Sequence, residues 1–326
     1  MPDRGPMAWC KLDRPGKQMT RRKCLAMMAG AAAATLAPGL CWSENGGVVL
    51  RLAISVETLA GANVNDARAA YQVWLHEVHG NLSFVSVEPV PEVFIPSEEL
   101  IRDIRKGILD CYAVTALEFA KVADLTNPDS LLLEDYLADG MEYVLLVHKN
   151  SPFKKVANLR GAHILSHLHG DMVLLPVWLG TMLAANSLPQ AEQFFASQQL
   201  IGNLNQVLLP VFFRRADGAC MARRSWEMAA ELNPQLGRDL LAVAVSPKIV
   251  PIIFAFRNNT LASTRKALID SIERIYAAPA GQQIIALYQS RGLVVKPMSV
   301  MKNTMEMVHQ FERLPAQQAR SRKGTS

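Results

Sequence analysis

The stretch Tyr143–Asp171, YVLLVHKNSPFKKVANLRGAHILSHLHGD, decides how the rest of this chain is read. It opens on an apolar run, Tyr143 to Val147, whose β-branched and aromatic content marks a buried strand. Asn150-Ser151-Pro152 breaks that strand, and Lys154 to Leu159 has room for about one helical turn before Gly161. A second short strand, Ala162 to Leu165, leads into Ser166-His167-Leu168-His169-Gly170-Asp171, after which the pattern becomes helical. A strand end that feeds a polar turn and then a helix N-terminus is an anion site in outline. Its unpaired backbone N–H groups and the helix dipole point the same way. The first strand reads as a crossing between two lobes, and the second turn as half of a ligand site.

Upstream, strands and helices alternate. Val48 to Ser55 is a largely apolar strand whose end carries Glu57 and Thr58, at the sheet edge where open α/β folds collect ligands. Asn65 is placed as the cap of a helix with Ala67, Ala70, Tyr71, Trp74 and Val78 at helical spacing. Leu82 to Val87 alternates as a strand, and Ser97-Glu98-Glu99 starts a helix with Ile101, Ile104 and Ile108 on one face. Leu109 to Val114 is a strand that presents Thr115, with a helix from Ala116 to Val122 behind it. This β-α-β-α-β-α order implies a parallel sheet with crossover helices. The run Leu131 to Leu137 is open to either reading.

Downstream, Val173 to Leu183 is an apolar helix that tolerates Pro176 in its first turns. Pro189 to Phe195 starts another helix, and Leu204 to Phe213 reads as helical despite Pro210. Ala216 to Cys220 is a short strand, and Arg223-Arg224-Ser225-Trp226 opens the next helix. Leu241 to Val245 is expected as the return crossing, followed by a strand at Ile252 to Phe256 and a helix along Leu261 to Ile275. Pro279-Ala280-Gly281 starts a helix reaching Tyr288, and the tail beyond Phe311, with no apolar face, is expected to fray.

These segments together resemble the periplasmic solute-binding proteins of ABC transporters, in the branch that binds phosphate, phosphite and phosphonate. The resemblance is carried by Ile54-Ser55-Val56-Glu57-Thr58-Leu59 with Asn65-Asp66-Ala67-Arg68, by Gly107-Ile108-Leu109-Asp110, and by the Lys149-to-Gly161 stretch. Ala216-Asp217-Gly218-Ala219-Cys220 and Glu231-Leu232-Asn233-Pro234-Gln235 continue it in the same order. It implies a two-lobe α/β fold of type II, each lobe a mainly parallel sheet flanked by helices, joined by two crossing strands. Lobe one would comprise residues 48–145 and 247–315, lobe two residues 146–246, and residues 316–326 a flexible tail. It also implies a monomer that captures a small oxyanion for an ABC-transporter permease. The same fold can instead report its ligand to a membrane sensor kinase or cyclase. The chain departs from the branch where phosphonate binders carry a Ser/Thr-rich turn with Gly four residues before the helix proline. Met172 stands at that spacing, and titratable His replaces small hydroxyls.

Bulk composition agrees with an exported globular protein. The chain has 326 residues, half of them hydrophobic, and a net charge of +5. Residues 1–43 hold 7 Lys/Arg against 2 Asp/Glu, which leaves the remainder neutral with 27 of each sign. Nothing supplies the basic face a nucleic-acid partner requires. Thr20-Arg21-Arg22-Lys23 before an Ala/Gly/Met-rich segment has the layout of a twin-arginine signal peptide over residues 1–43, cleaved after Ser43 on delivery to the periplasm. A single membrane anchor is the competing reading. Cys111 and Cys220 then remain, placed in different lobes and expected as free, buried thiols.

The candidate ligand-binding residues are Glu57, Thr58 and Thr115 from lobe one, and Ser166, His167, His169, Gly170, Asp171 and Arg223 from lobe two. Hydroxyls, imidazoles and backbone N–H groups donate to an oxyanion, and Arg223 offers a planar fork for one. Asp171 and Glu57 argue partly against an anion, unless Asp171 caps the following helix and Glu57 accepts from a ligand hydroxyl. The competing reading of the histidines is surface residues on a turn. His167-Leu168-His169-Gly170-Asp171 also resembles the start of the H-x-H-x-D-H pattern of zinc-dependent hydrolases, but Met172 takes the last position and only His309 follows. A catalytic zinc wants three protein ligands, so neither metal nor cofactor is expected. No Ser-His-Asp triad or phosphate-loop glycine pattern is present, and no enzyme activity is expected.

Overall fold

The computed structural model describes residues 48–59, 63–69, 71–72, 85–277 and 292–323. The leader, Trp74, Val78 and the Pro279–Tyr288 segment lie outside the described residues. Two mixed sheets organise the rest. The first has six strands in the order β11-β4-β10-β3-β1-β2. Its first three strands are β1 (Val48–Ser55), β2 (Val85–Ile95) and β3 (Cys111–Thr115). Strand β1 runs parallel to both β2 and β3, as the alternation predicts. Against them run β10 (Ile252–Arg257), which joins β3 to β4 (Thr126–Glu134), and β11 (Leu293–Lys296) at the edge. The ambiguous run near Leu131 is thus strand β4 followed by one 3-10 turn, Asp135–Leu137.

The second sheet has five strands in the order β7-β6-β8-β5-β9. They are β5 (Tyr143–His148), β6 (His163–His167), β7 (Ser197–Ile201), β8 (Gly218–Ala222) and β9 (Leu240–Val245). Strands β6, β7 and β8 are parallel, whereas β5 runs antiparallel to β8 and β9. Two expectations are corrected here. Tyr143–Val147 and Leu241–Val245 are not themselves the crossings, because both pair fully inside the second sheet. The chain crosses just before β5 and just after β9, where Met141 and Ile249 form an isolated antiparallel bridge. Gly140 takes φ 75° in this tight passage, a conformation glycine adopts without strain.

The crossings are clamped. The Tyr143 amide donates to Ser246 Oγ at 2.8 Å, and the Val250 amide donates to Thr304 Oγ1 at 2.8 Å. Thr304 belongs to the C-terminal helix, Lys302–Lys323, which continues past Phe311, where the sequence predicts fraying. One apolar core runs through both sheets, from Tyr112 and Phe119 through Tyr143 and Trp178 to Met301 and Val308. Each such side chain, once buried, contributes about 1.5–3 kcal/mol. No described helix is long and apolar enough to cross a membrane.

Local chemistry sets the remaining boundaries. Ser97–Lys106 forms the helix expected there, closed by Gly107 in the left-handed conformation at φ 73°. The helix that starts at Val64 is capped by Asn63, whose Oδ1 accepts from the Asn65 amide at 2.8 Å, and not by Asn65. Pro176 sits in the first turn of Leu175–Ala185, where its missing N–H costs nothing. Cys111 and Cys220 are both free and buried, one in each sheet.

Candidate binding cleft

A cavity of about 850 Å³ opens between the two sheets. The first sheet contributes Glu57, Thr115 and Glu118, and the second contributes Ser166, His167 and His169 from the end of β6. Five of the nine sequence-predicted residues therefore line one space: Glu57, Thr115, Ser166, His167 and His169.

Their chemistry differs from side to side. Thr115 caps the short helix Ala116–Phe119 in a reciprocal box with Glu118. Its amide and hydroxyl both donate to Glu118 Oε2, at 2.8 and 2.9 Å, and Ser55 Oγ donates to Oε1 at 2.5 Å. The Thr58 hydroxyl is likewise engaged, donating to the Ser55 carbonyl at 2.7 Å. The hydroxyls of Ser55, Thr58 and Thr115 are thus committed to their own framework. On the other wall, Ser166 Oγ and His167 Nδ1 are buried with no hydrogen-bond partner among the described nitrogens and oxygens. These two residues are 1% and 8% exposed. A buried polar atom left unpaired costs stability, and both residues belong to the cavity wall. The Ser166 hydroxyl lies beside the Cys220 thiol, whose pKa burial pushes up to about 12.

His167 and His169 stack with ring centroids 5.6 Å apart. His169 Nδ1 lies 2.8 Å from Asp171 Oδ1, and this carboxylate raises the His169 pKa. Burial lowers that of His167, with His169 adding to the effect, while a hydrogen bond to the Gly202 backbone opposes it. Asp171 does not cap the helix. It sits in a 3-10 turn, Gly170–Met172, behind His169, and the Pro176 helix starts only at Leu175. A Cβ on Gly170 would lie 3.3 Å from the Thr58 carbonyl oxygen, so Thr58 and Gly170 mark a place where the two lobes touch. Among the described residues no group of three or more His, Cys, Asp or Glu side chains converges to hold a metal. His169 and Asp171 bond to each other instead.

Arg223 is elsewhere. Its Nε donates to Glu142 Oε2 at 2.6 Å beside the first crossing, with Glu227 3.9 Å from the guanidinium, and it does not line the cavity. Arg224 lies over the Tyr136 ring at 4.6 Å.

Residues 65–296 match the family model of the periplasmic substrate-binding proteins of phosphonate ABC transporters. The chain belongs to this family. Solved structures share its architecture at low identity. PhnD1 from Prochlorococcus marinus, in complex with methylphosphonate, is 16% identical with a TM-score of 0.52, covering 82% of this chain and 99% of that one. A binding-protein component of a phosphonate ABC transporter from Pseudomonas aeruginosa is 14% identical with a TM-score of 0.51, covering 81% and 87%. A Xanthomonas citri protein bound to ATP is 14% identical with a TM-score of 0.54, covering 82% and 98%. Comparison with curated protein sequences gives no significant match. The likeness shows a type II periplasmic-binding fold, and family membership makes this a substrate-binding transport protein of the periplasm.

Within that family frame, sequence reasoning missed Glu118, the buried carboxylate that ties Ser55 to Thr115. The T-x-x-E spacing from Thr115 to Glu118 was its visible signal. Leu175, Leu179, Phe311 and Leu314, which form an apolar part of the cleft wall, were missed as well. Their helical spacing reads as ordinary core, and nothing in sequence says that the C-terminal helix returns to the cleft.

Proposed function

We propose that this protein captures a small oxyanion in the cleft between its lobes and delivers it to an ABC-transporter permease. Phosphonate, phosphite and phosphate monoesters are the chemical class. The observation that carries this is the convergence of Ser166, His167 and His169 at the end of β6 on the cavity wall. His169 has its basicity raised by Asp171, so it holds charge at a higher pH than a free imidazole. The exposed carboxylates of Glu57 and Glu192 lie on the cavity wall together with Lys121, where water screens them. Closure would hinge at the crossings around Met141 and Ile249 and would desolvate the ligand.

Isothermal titration of the purified protein with methylphosphonate, phosphite and a phosphate monoester tests this. One-to-one binding by at least one of them is expected, weakened roughly 10–100-fold by Ser166→Ala or His167→Ala, since a hydrogen bond to a charged group is worth about 1.5–3 kcal/mol. Binding that survives both substitutions unchanged, or no binding across the panel, sinks the proposal.

A further inference from the structure

We propose that the ligand's oxyanion head carries an apolar substituent of several carbons, as in an alkyl- or arylphosphonate or the matching phosphate monoester. This rests on the oxyanion reading above and specifies the substrate class further. The cavity is divided in chemistry. Its hydroxyl and imidazole residues Ser166, His167 and His169 cluster at the end of β6. Leu175 and Leu179 of the Pro176 helix and Phe311 and Leu314 of the C-terminal helix form an apolar part of the wall, which also carries Lys121, Gln190 and Glu192.

This apolar part is built by close helix packing. A Cβ on Gly180 would lie 2.6 Å from Phe311 Cε2 and 3.7 Å from Leu314 Cδ1. The bare glycine leaves room for the Phe311 ring to lie this near. Leu168 and Leu200 also line the cavity while remaining 38% and 65% exposed. Apolar surface left facing water at a binding site gains most from an apolar ligand group.

Size points the same way. A phosphonate head occupies only a few water volumes, of about 30 Å³ each, whereas the cavity measures about 850 Å³. Pockets of about 300–1,000 Å³ suit molecules with many more atoms than a methyl-capped head. A bare oxyanion at the Ser166–His169 end would leave the aliphatic wall hydrated.

The test is a chain-length series: methyl-, butyl-, octyl- and phenylphosphonate titrated into the purified protein, with octanol as the headless control. Affinity is expected to rise by roughly fourfold per methylene over the first several carbons, the factor for burying one CH₂. The binding heat-capacity change should grow more negative along the series. Leu314→Asp should remove most of the octyl gain and flatten the chain-length slope. Leu314 is only partly buried, and the chain-length slope in the unmutated protein needs no variant at all. Equal affinity across the series overturns this proposal while the oxyanion reading stands. Octanol binding as tightly as octylphosphonate overturns the oxyanion reading and this proposal with it, as does the absence of binding throughout.

Discussion

The imidazoles of His167 and His169 stack at 5.6 Å with 16° between their planes, yet their surroundings push their basicities in opposite directions. Asp171 raises His169 through a 2.8 Å hydrogen bond, and burial lowers His167. As pH falls, the first proton therefore goes to His169, and its charge opposes a second on His167.

Anion affinity should accordingly strengthen as pH falls through a value above about 6.5, the ordinary imidazole pKa. His169→Ala should flatten this rise, and His167→Ala should weaken binding while keeping the slope. The signs for stability differ. The raised His169 stabilises the fold at pH below its unfolded value, and the effect is lost as pH rises through its folded pKa. The lowered His167 favours the fold above its unfolded value, with loss as pH falls through its folded pKa. Imidazole NMR titration reads both, and finding His167 the more basic of the two would refute the assignment.

Glu118 accepts from Ser55 Oγ, the Thr115 amide and Thr115 Oγ1 while almost fully buried. Glu118→Gln places donors where acceptors are required and should cost about 2 kcal/mol in urea unfolding. Ser55→Ala removes one donor from the same carboxylate and should cost less. Unchanged midpoints for both variants would mean this network does not hold the lobe-one wall.

Gly180 and Phe311 should couple. Gly180→Ala improves helix propensity by about 1 kcal/mol, but its Cβ meets the Phe311 ring at 2.6 Å. Overpacking of that kind costs typically about 1–3 kcal/mol. The substitution is therefore expected to destabilise the protein alone and to stabilise it in a Phe311→Ala background. A double-mutant cycle with no interaction energy would show that the two helices do not bear on each other here.

Arg223 pairs with Glu142 at the first crossing, both side chains about 30% exposed, outside the cavity. Arg223→Ala should leave ligand affinity within about twofold and cost no more than about 1 kcal/mol of stability, as partly exposed ion pairs do. A tenfold loss of affinity would return Arg223 to the ligand.

Cys111 and Cys220 should not react with an aromatic disulfide reagent at pH 8 in the folded protein, and both should react in urea. Burial raises the first thiol well above its ordinary value and the second to about 12. The thiolate is the reactive form, and rapid labelling of the native protein would contradict that burial.

The sequence by itself determined what depends on local pattern. Apolar runs such as Tyr143–Val147 and Ile252–Phe256 fix strands through burial, and Pro176 is compatible with a helix because it falls in the first turn. Ser166 and His167 could be assigned to the cleft because a parallel strand must deliver its C-terminal end to that edge of the sheet. Strand β7 escaped because Ser197–Ile201 is a polar edge strand, held by backbone pairing to β6 and not by apolar alternation. Only the tertiary structure decided which hydroxyls are already engaged, that Arg223 turns to Glu142, and that the C-terminal helix packs on Gly180 to complete the cavity. These are contacts between residues far apart in the chain or choices among several available partners. Their outcome depends on the distances that packing sets, and a linear pattern of residue types does not contain them.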